Sequence, residues 1–235
     1  MQLVILCGGL GTRLREIDDK NPKSLIEINN KPFIHYLLNS IEKYPFTSIH
    51  FCLGYKSENF INYINKINKF EFKKISFSVE DEKNLLGTGG AIKNCLEFLN
   101  NNFIVQYGDT ILKFNYEKFY KYHLSHKEPM TMSIMKATKT LEQANLFCEI
   151  NKENELQCIY NKLNPPFNAN YIDYGAIVFK KELFDKIEKD IFDLSEIQAK
   201  LSKQKKAKYF ETDYPYTEIG NPRSFREALD KLNDF

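Results

Sequence analysis

The sequence predicts an α/β fold, with an open, mostly parallel central sheet and helices on both faces. Two observations carry this. Short apolar runs alternate with helical patterns from the start of the chain to about residue 130, and such a rhythm marks parallel strands joined by crossover helices. Beyond that point strand-like runs follow one another with few helices between them. That change predicts a smaller mixed or antiparallel β portion in the C-terminal half.

Taken in order, "QLVILC" from Gln2 is a buried strand, and "FIHYLLNSIEKY" (33–44) sets Ile34, Leu37, Leu38 and Ile41 on one helical face. "SIHFCLG" is a second strand. "SENFINYINKIN" (57–68) is a helix with Ser57 as its N-cap and Phe60, Ile64 and Ile67 along one stripe. "KISFSVE" is a third strand, "GAIKNCLEFL" (90–99) a third helix and "NFIVQYGD" a fourth strand. In the second half "MTMSIMKA", "LFCEI", "LQCIY" and "IDYGAIVF" are strands, while "DLSEIQAKLSK" and "PRSFREALDKL" are helices, the latter with Pro222 in its first turn. The basic run from Lys203 to Lys208 reads as a solvated helix end.

With 235 residues, 43% hydrophobic and 14% aromatic, the chain is long enough for a sizeable core, and a single domain over 1–235 is expected, with no room for an appended second one. Its 33 basic and 31 acidic residues leave a net charge of +2, which gives no electrostatic footprint for nucleic acid or a membrane surface. Five cysteines, at 7, 52, 95, 148 and 158, include no C-x-x-C pair. That pattern suits neither a disulfide framework nor a zinc site, so reduced thiols in a cytoplasmic protein are expected. The first apolar run stops at Cys7, too short for a signal sequence or a membrane span.

The stretch "LVILCGGLGTRLREIDDKNPKSL" carries the chemistry. Gly8, Gly9 and Gly11 follow a strand directly, where successive amides of a tight turn make an anion cradle; a tight turn with no ligand is the plain alternative. A Walker loop needs Gly-Lys-Ser/Thr after four intervening residues, which is absent. A dinucleotide fingerprint from Gly9 would need a small residue at Leu14. A third reading comes from Arg13 and Lys23, ten residues apart across a polar segment. An arginine fork and a point-charge lysine suit a polyphosphate whose leaving group gains charge. Asp109, at the end of the fourth strand, stands where a carboxylate would point into the crevice in which open α/β sheets bind ligands; an ordinary turn aspartate after glycine is the plain alternative, and the better one on this residue alone.

"GGLGTRL…NPKSL" resembles the signature of the sugar-1-phosphate nucleotidyltransferases, the NDP-sugar pyrophosphorylases. Further blocks of the same resemblance follow in order: "LGTGGAIKN" (86–94), "YGDTIL" (107–112), "IDYGAIVF" (172–179) and "EIGNPRSF" (218–225). The resemblance implies a Rossmann-like nucleotide-diphospho-sugar transferase fold, with 1–130 mainly nucleotide-binding and 131–235 mainly sugar-phosphate-binding. It implies Arg13 and Lys23 as catalytic cations, and Leu6, Gly8, Gly9, Gly11 and Thr12 against the nucleotide. Glu80, Gly87 and Thr88 would face the base; Tyr107, Gly108, Lys162, Asp173 and Tyr174 the sugar phosphate. Asp109 and Glu218 would bind Mg2+.

The pattern departs from the family at Glu218, where aspartate is usual, and at Asn161 and Asp173, which rewrite the sugar pocket. Within the family the chain resembles the D-glycero-α-D-manno-heptose 1-phosphate guanylyltransferases, which implies GTP and a heptose 1-phosphate as substrates and GDP-heptose for a surface polysaccharide such as capsule as product. A carboxylate at Glu80 suits guanine, whose N1 and exocyclic amino hydrogens it can accept together. A cytidylyl- or uridylyltransferase, or a non-catalytic nucleotide-sugar sensor, are the rival readings. Helix faces near the end of the chain leave a homodimer open. The four histidines, at 35, 50, 123 and 126, lie outside every block and are expected to be structural.

Overall fold

A computed structural model describes residues 1–67, 74–138 and 144–233. The elements in chain order are β1 (Gln2–Leu6), β2 (Glu27–Ile28), β3 (Lys31–Pro32), α1 (Phe33–Ile41), β4 (Ser48–Leu53), α2 (Ser57–Lys66), β5 (Ile75–Val79), α3 (Gly87–Asn94), β6 (Asn102–Tyr107) and β7 (Thr110–Leu112). There follow α4 (Tyr116–Leu124), β8 (Met130–Lys136), β9 (Leu146–Ile150), β10 (Leu156–Tyr160), β11 (Tyr171–Lys180), α5 (Leu194–Lys203), β12 (Ala207–Glu211), β13 (Tyr216–Glu218) and α6 (Pro222–Lys231).

Nine of these strands form one sheet. Its parallel part runs β5-β4-β1-β6, with Leu3 opposite Ile49 on one side and Ile104 on the other. β11 continues from β6 antiparallel and carries both β8 and the β9–β10 hairpin, and β12 adds to β8 in parallel. The expected switch to mixed pairing in the second half is therefore present. Side chains alternate across the sheet, so Leu3, Ile5, Ile49 and Phe51 pack under α1, α2, α4 and α6, while Val4, Cys52, Phe103 and Val105 pack under α3 and α5. Both faces are covered, which is why β1 and β4 read as continuous apolar runs.

Local expectations hold where burial alone decides them. Ile34, Leu37, Leu38 and Ile41 are all fully buried on α1. Asn221 caps α6 by accepting the amides of Arg223 and Ser224, ahead of Pro222. Ser57, by contrast, is the first residue of α2 and not its cap. Lys56 takes that place in a left-handed conformation (φ 51°), its amide held by Glu82 at 2.6 Å. Residue 68 of the expected pattern falls outside the described residues. The third helix starts at Gly87 and gives way after Asn94 to a short 3-10 turn at Leu96–Phe98. The basic run is only partly a helix end: α5 stops at Lys203, and Lys208 lies in β12 with its ammonium 2.7 Å from Glu155.

The cysteine expectation is corrected for one pair. Cys148 and Cys158 stand directly opposite each other in the antiparallel β9–β10 ladder and form a disulfide, whereas Cys7, Cys52 and Cys95 are free and buried. Composition could not show this, because the pairing comes from hairpin register. Among the described residues no helix is long and apolar enough to cross a membrane.

Reducing the Cys148–Cys158 bridge should lower the unfolding free energy by about 2–3 kcal/mol, the size expected for a loop closed over 10 residues. A denaturant titration with and without dithiothreitol measures it; coincident midpoints would mean that the ladder alone holds the hairpin.

Candidate active site

β1 and β6 are neighbours, with Leu6 opposite Tyr107, and the chain leaves their carboxyl ends in different directions. At such a switch point the two following loops diverge and leave a crevice. Here a cavity of about 310 Å³ fills it. One wall is the loop after β1, with Leu6, Gly8, Gly9, Gly11, Thr12 and Arg13; the facing wall is Tyr107, Gly108 and Asp109 after β6.

The central contact joins the two walls. Lys23 Nζ lies 2.6 Å from Asp109 Oδ2, with both side chains part-buried, at 20% and 30% exposure. Gly11 makes this approach possible in two ways. Its φ of 59° is one that L side chains rarely adopt, and a Cβ there would sit 3.2 Å from Lys23 Cβ. The polar segment between Arg13 and Lys23 is organised by Asp18, whose carboxylate accepts the amides of Lys20 and Asn21. The Lys56 ammonium donates to Asp19 O and anchors the segment to the start of α2.

Asp109 is also tied to the end of the chain. Its carbonyl accepts the amide of Ile219 at 3.0 Å, and β13 pairs with β7 so that Glu218 faces Thr110. Burial raises the pKa of Glu218 above the ordinary carboxylate range. The charge of Asp109 raises it further, while Lys23 and Arg13 pull it down. Two cations and two carboxylates from three distant stretches of sequence thus share one electrostatic neighbourhood.

At the other end of the cavity Glu80 is buried, and its Oε2 accepts the amide of Leu86 at 2.9 Å. Desolvation raises its pKa. Gly87 and Thr88 follow at the start of α3, and both line the cavity. The first amides of α3 are already occupied: Phe192 O accepts those of Gly89 and Gly90, and Asp193 Oδ1 accepts the amide and hydroxyl of Thr88 at 3.2 and 3.0 Å. A Cβ on Gly90 would lie 2.2 Å from Asp190 O, so only glycine lets the 190–193 segment lie this close. The amides open to an anion are therefore chiefly those of the glycine loop after β1, with Gly87 at the start of α3.

The residues expected around the sugar phosphate divide. Tyr107 and Gly108 line the cavity. Asp173 lies just beyond it, next to a bulge in β11, and accepts from Gln198 Nε2 at 2.7 Å and from the Gly175 amide at 3.0 Å. Burial raises its pKa, and its charge in turn helps to raise that of Tyr107. Lys162 is exposed on the loop after β10, near enough for its charge to act on Asp173 but outside the cavity lining. Tyr174 is not brought in. It points to the opposite face of β11, buried against Phe114 and Tyr216 with its hydroxyl accepting the amide of Lys113. None of the four histidines lines the cavity.

The nucleotidyl transferase family matches residues 2–234. The chain belongs to that family. This nucleotidyl transferase is 30% identical over the full length of both chains to a D-glycero-alpha-D-manno-heptose 1-phosphate guanylyltransferase of Aneurinibacillus thermoaerophilus. It is 30% identical to one of Campylobacter jejuni, over 97% of this chain and 99% of the relative. Among solved structures it is similar to HddC from Yersinia pseudotuberculosis complexed with GMP-PN, with a TM-score of 0.77, 27% identity and 99% of each chain covered.

Sequence reasoning missed Asp193 in this nucleotidyl transferase. "DLSE" does mark a helix start, and Glu196 accepts the Asp193 amide as a capping box requires. Nothing local, however, points to Thr88, 105 residues away. Cys7, Ser24, Cys52, Leu85, Ala91 and Gly220 complete the lining.

A carboxylate whose folded pKa is raised costs stability above that pKa and none once pH falls below its unfolded value. Glu218→Gln should therefore raise the melting temperature at pH 7, and that gain should vanish below about pH 4. Calorimetry across the pH range checks it; a gain that persists in acid would place the effect elsewhere.

Proposed function

We infer that this chain transfers a guanylyl group from GTP to a sugar 1-phosphate, releasing pyrophosphate, and that the sugar is D-glycero-α-D-manno-heptose. The observation that carries the transfer chemistry is the Lys23–Asp109 contact at 2.6 Å, in a cavity walled by a glycine loop and Arg13. A phosphate oxygen of the sugar 1-phosphate attacks the α-phosphorus in line; the new P–O bond forms as the bond to pyrophosphate breaks. The nucleophile is already anionic at neutral pH, so no general base is needed, in keeping with a cavity that no histidine lines. Catalysis then rests on holding two anions together and neutralising charge as it moves to the leaving group. Lys23 and Arg13 are the residues for that task.

Asp109 and Glu218 fit a magnesium ion. They offer hard oxygen donors, and the charge of Asp109 already raises the pKa of Glu218, a repulsion that a divalent cation relieves. When bound, the ion would supply positive charge that lowers the repulsion between the reacting phosphates. Without it Lys23 serves as the counter-charge of Asp109.

Guanine is supported by Glu80. Its Leu86 partner fixes a buried carboxylate in the cavity wall, and a carboxylate accepts the N1 and amino hydrogens of guanine where uracil presents acceptors. The names of the relatives support the same base and the heptose. Asp173, held by Gln198, is the group proposed to meet a sugar hydroxyl, with Lys162 on the loop above it.

Pyrophosphate release measured with GTP, ATP, CTP and UTP against heptose, mannose and glucose 1-phosphates tests the reading. GTP with the heptose should be fastest; no turnover with any pair, alongside tight nucleotide binding, would make the chain a sensor. Lys23→Ala and Arg13→Ala should each lower kcat roughly 100- to 1,000-fold, the loss typical of one preorganised donor, and Asp109→Asn should abolish magnesium-dependent turnover. Wild-type kcat in the Lys23 variant would remove it from the mechanism.

A further inference from the structure

The face of the sheet under α3 carries three side chains that nucleotidyl transfer does not use. His50 and Cys52 stand two apart on β4 and so share a face. Cys95 comes from the residue that ends α3. All three are buried, at 0%, 1% and 0% exposure, and their ligand atoms lie within 4.8 Å of one another. Among the described residues no other group of three His, Cys, Asp or Glu side chains is this close.

Ordinary packing accounts for part of this. Each thiol reaches a carbonyl, Cys52 that of Ala91 at 3.8 Å and Cys95 that of Ile92 at 3.3 Å. The remaining contacts are hydrogen bonds that also meet the geometry of a ligand set. The two sulfurs are 3.7 Å apart, close to the edge of about 3.8 Å between two thiolates on a tetrahedral zinc with Zn–S bonds of about 2.3 Å. His50 has a serine hydroxyl at each ring nitrogen, and to ligate an ion it exchanges one of them. Ser76 Oγ lies 2.8 Å from Nδ1 and Ser78 Oγ 3.1 Å from Nε2, so whichever nitrogen takes an ion, a hydroxyl still fixes the other. The ring plane is set by Phe98, stacked at 5.3 Å.

We propose that His50, Cys52 and Cys95 form a zinc site beneath the floor of the nucleotide cavity. One imidazole and two sulfurs are a borderline-soft donor set that selects zinc over magnesium. Binding displaces the two thiol protons to solvent, and the fourth position falls to water or to the Ser78 hydroxyl. Cys52 also lines the cavity, which gives the ion its way in. The site joins β4 to the end of α3, the helix whose other end carries Gly87 and Thr88.

The full chain, stripped with a chelator and titrated with cobalt(II), tests this. One ion per chain should give the sulfur-to-cobalt charge-transfer band and the intense visible bands of a tetrahedral site, and zinc should remove both. Cys52→Ser and Cys95→Ser should each abolish the bands, and Cys7→Ser should keep them. A weak octahedral spectrum, or bands that survive Cys95→Ser, would overturn the proposal. Should the variants fail to fold, the unmutated protein decides. Zinc should slow alkylation of Cys52 and Cys95 more than that of Cys7, mapped by mass spectrometry, and magnesium should not; equal labelling of all three would overturn it.

Discussion

The contact between Lys23 and Asp109 is the constraint around which the cleft is built. The two residues are 86 positions apart and belong to the loops that follow neighbouring parallel strands. For the ammonium to reach the carboxylate without strain, Gly11 holds a left-handed turn against Lys23, the segment from Thr12 to Pro22 folds back, and β6 ends where Asp109 can turn inward. Each condition is met by a named interaction: a left-handed glycine, the Asp18 turn, and β7 paired with β13. Buried or half-buried charges are tolerated only when paired, so the pair reports how completely the loops are specified.

The sheet supplies the rigidity that such a contact needs. Its parallel half is covered on both faces and brings the two loops together at one edge of the fold. Its antiparallel half hangs on β11, which pairs with β6, β8 and β9 and bulges beside Asp173. The bulge changes register where the strand passes the cleft, and the ordinary alternation of the strand puts Asp173 and Tyr174 on opposite sides. One of them faces Gln198 and the other the aromatic core.

What was legible in the sequence was whatever depends on local pattern. Ile34, Leu37, Leu38 and Ile41 fell on one face because helical period and burial agree, and the glycine loop announced itself because few other arrangements call for bare backbone after a strand. The parts that escaped are decided by distant contacts. Lys56 displaced Ser57 as cap because Glu82 holds its amide. Asp193 entered the cavity wall through Thr88, and Cys148 met Cys158 through hairpin alignment. In each case the deciding partner lies on another element, where a one-dimensional pattern carries no information.

The helix α5 joins two ends of the cleft that the chain otherwise keeps apart. Asp193, at its start, holds the turn at Thr88, and Gln198, five residues on, holds Asp173. At a rise of about 1.5 Å per residue these grips are roughly 7.5 Å apart on a single rod. A rod of that kind acts as a gauge block: the separation between the two grips is set by helix pitch instead of by loop conformation. Any tilt of α5 would carry the Thr88 turn and Asp173 together, with no hinge between them.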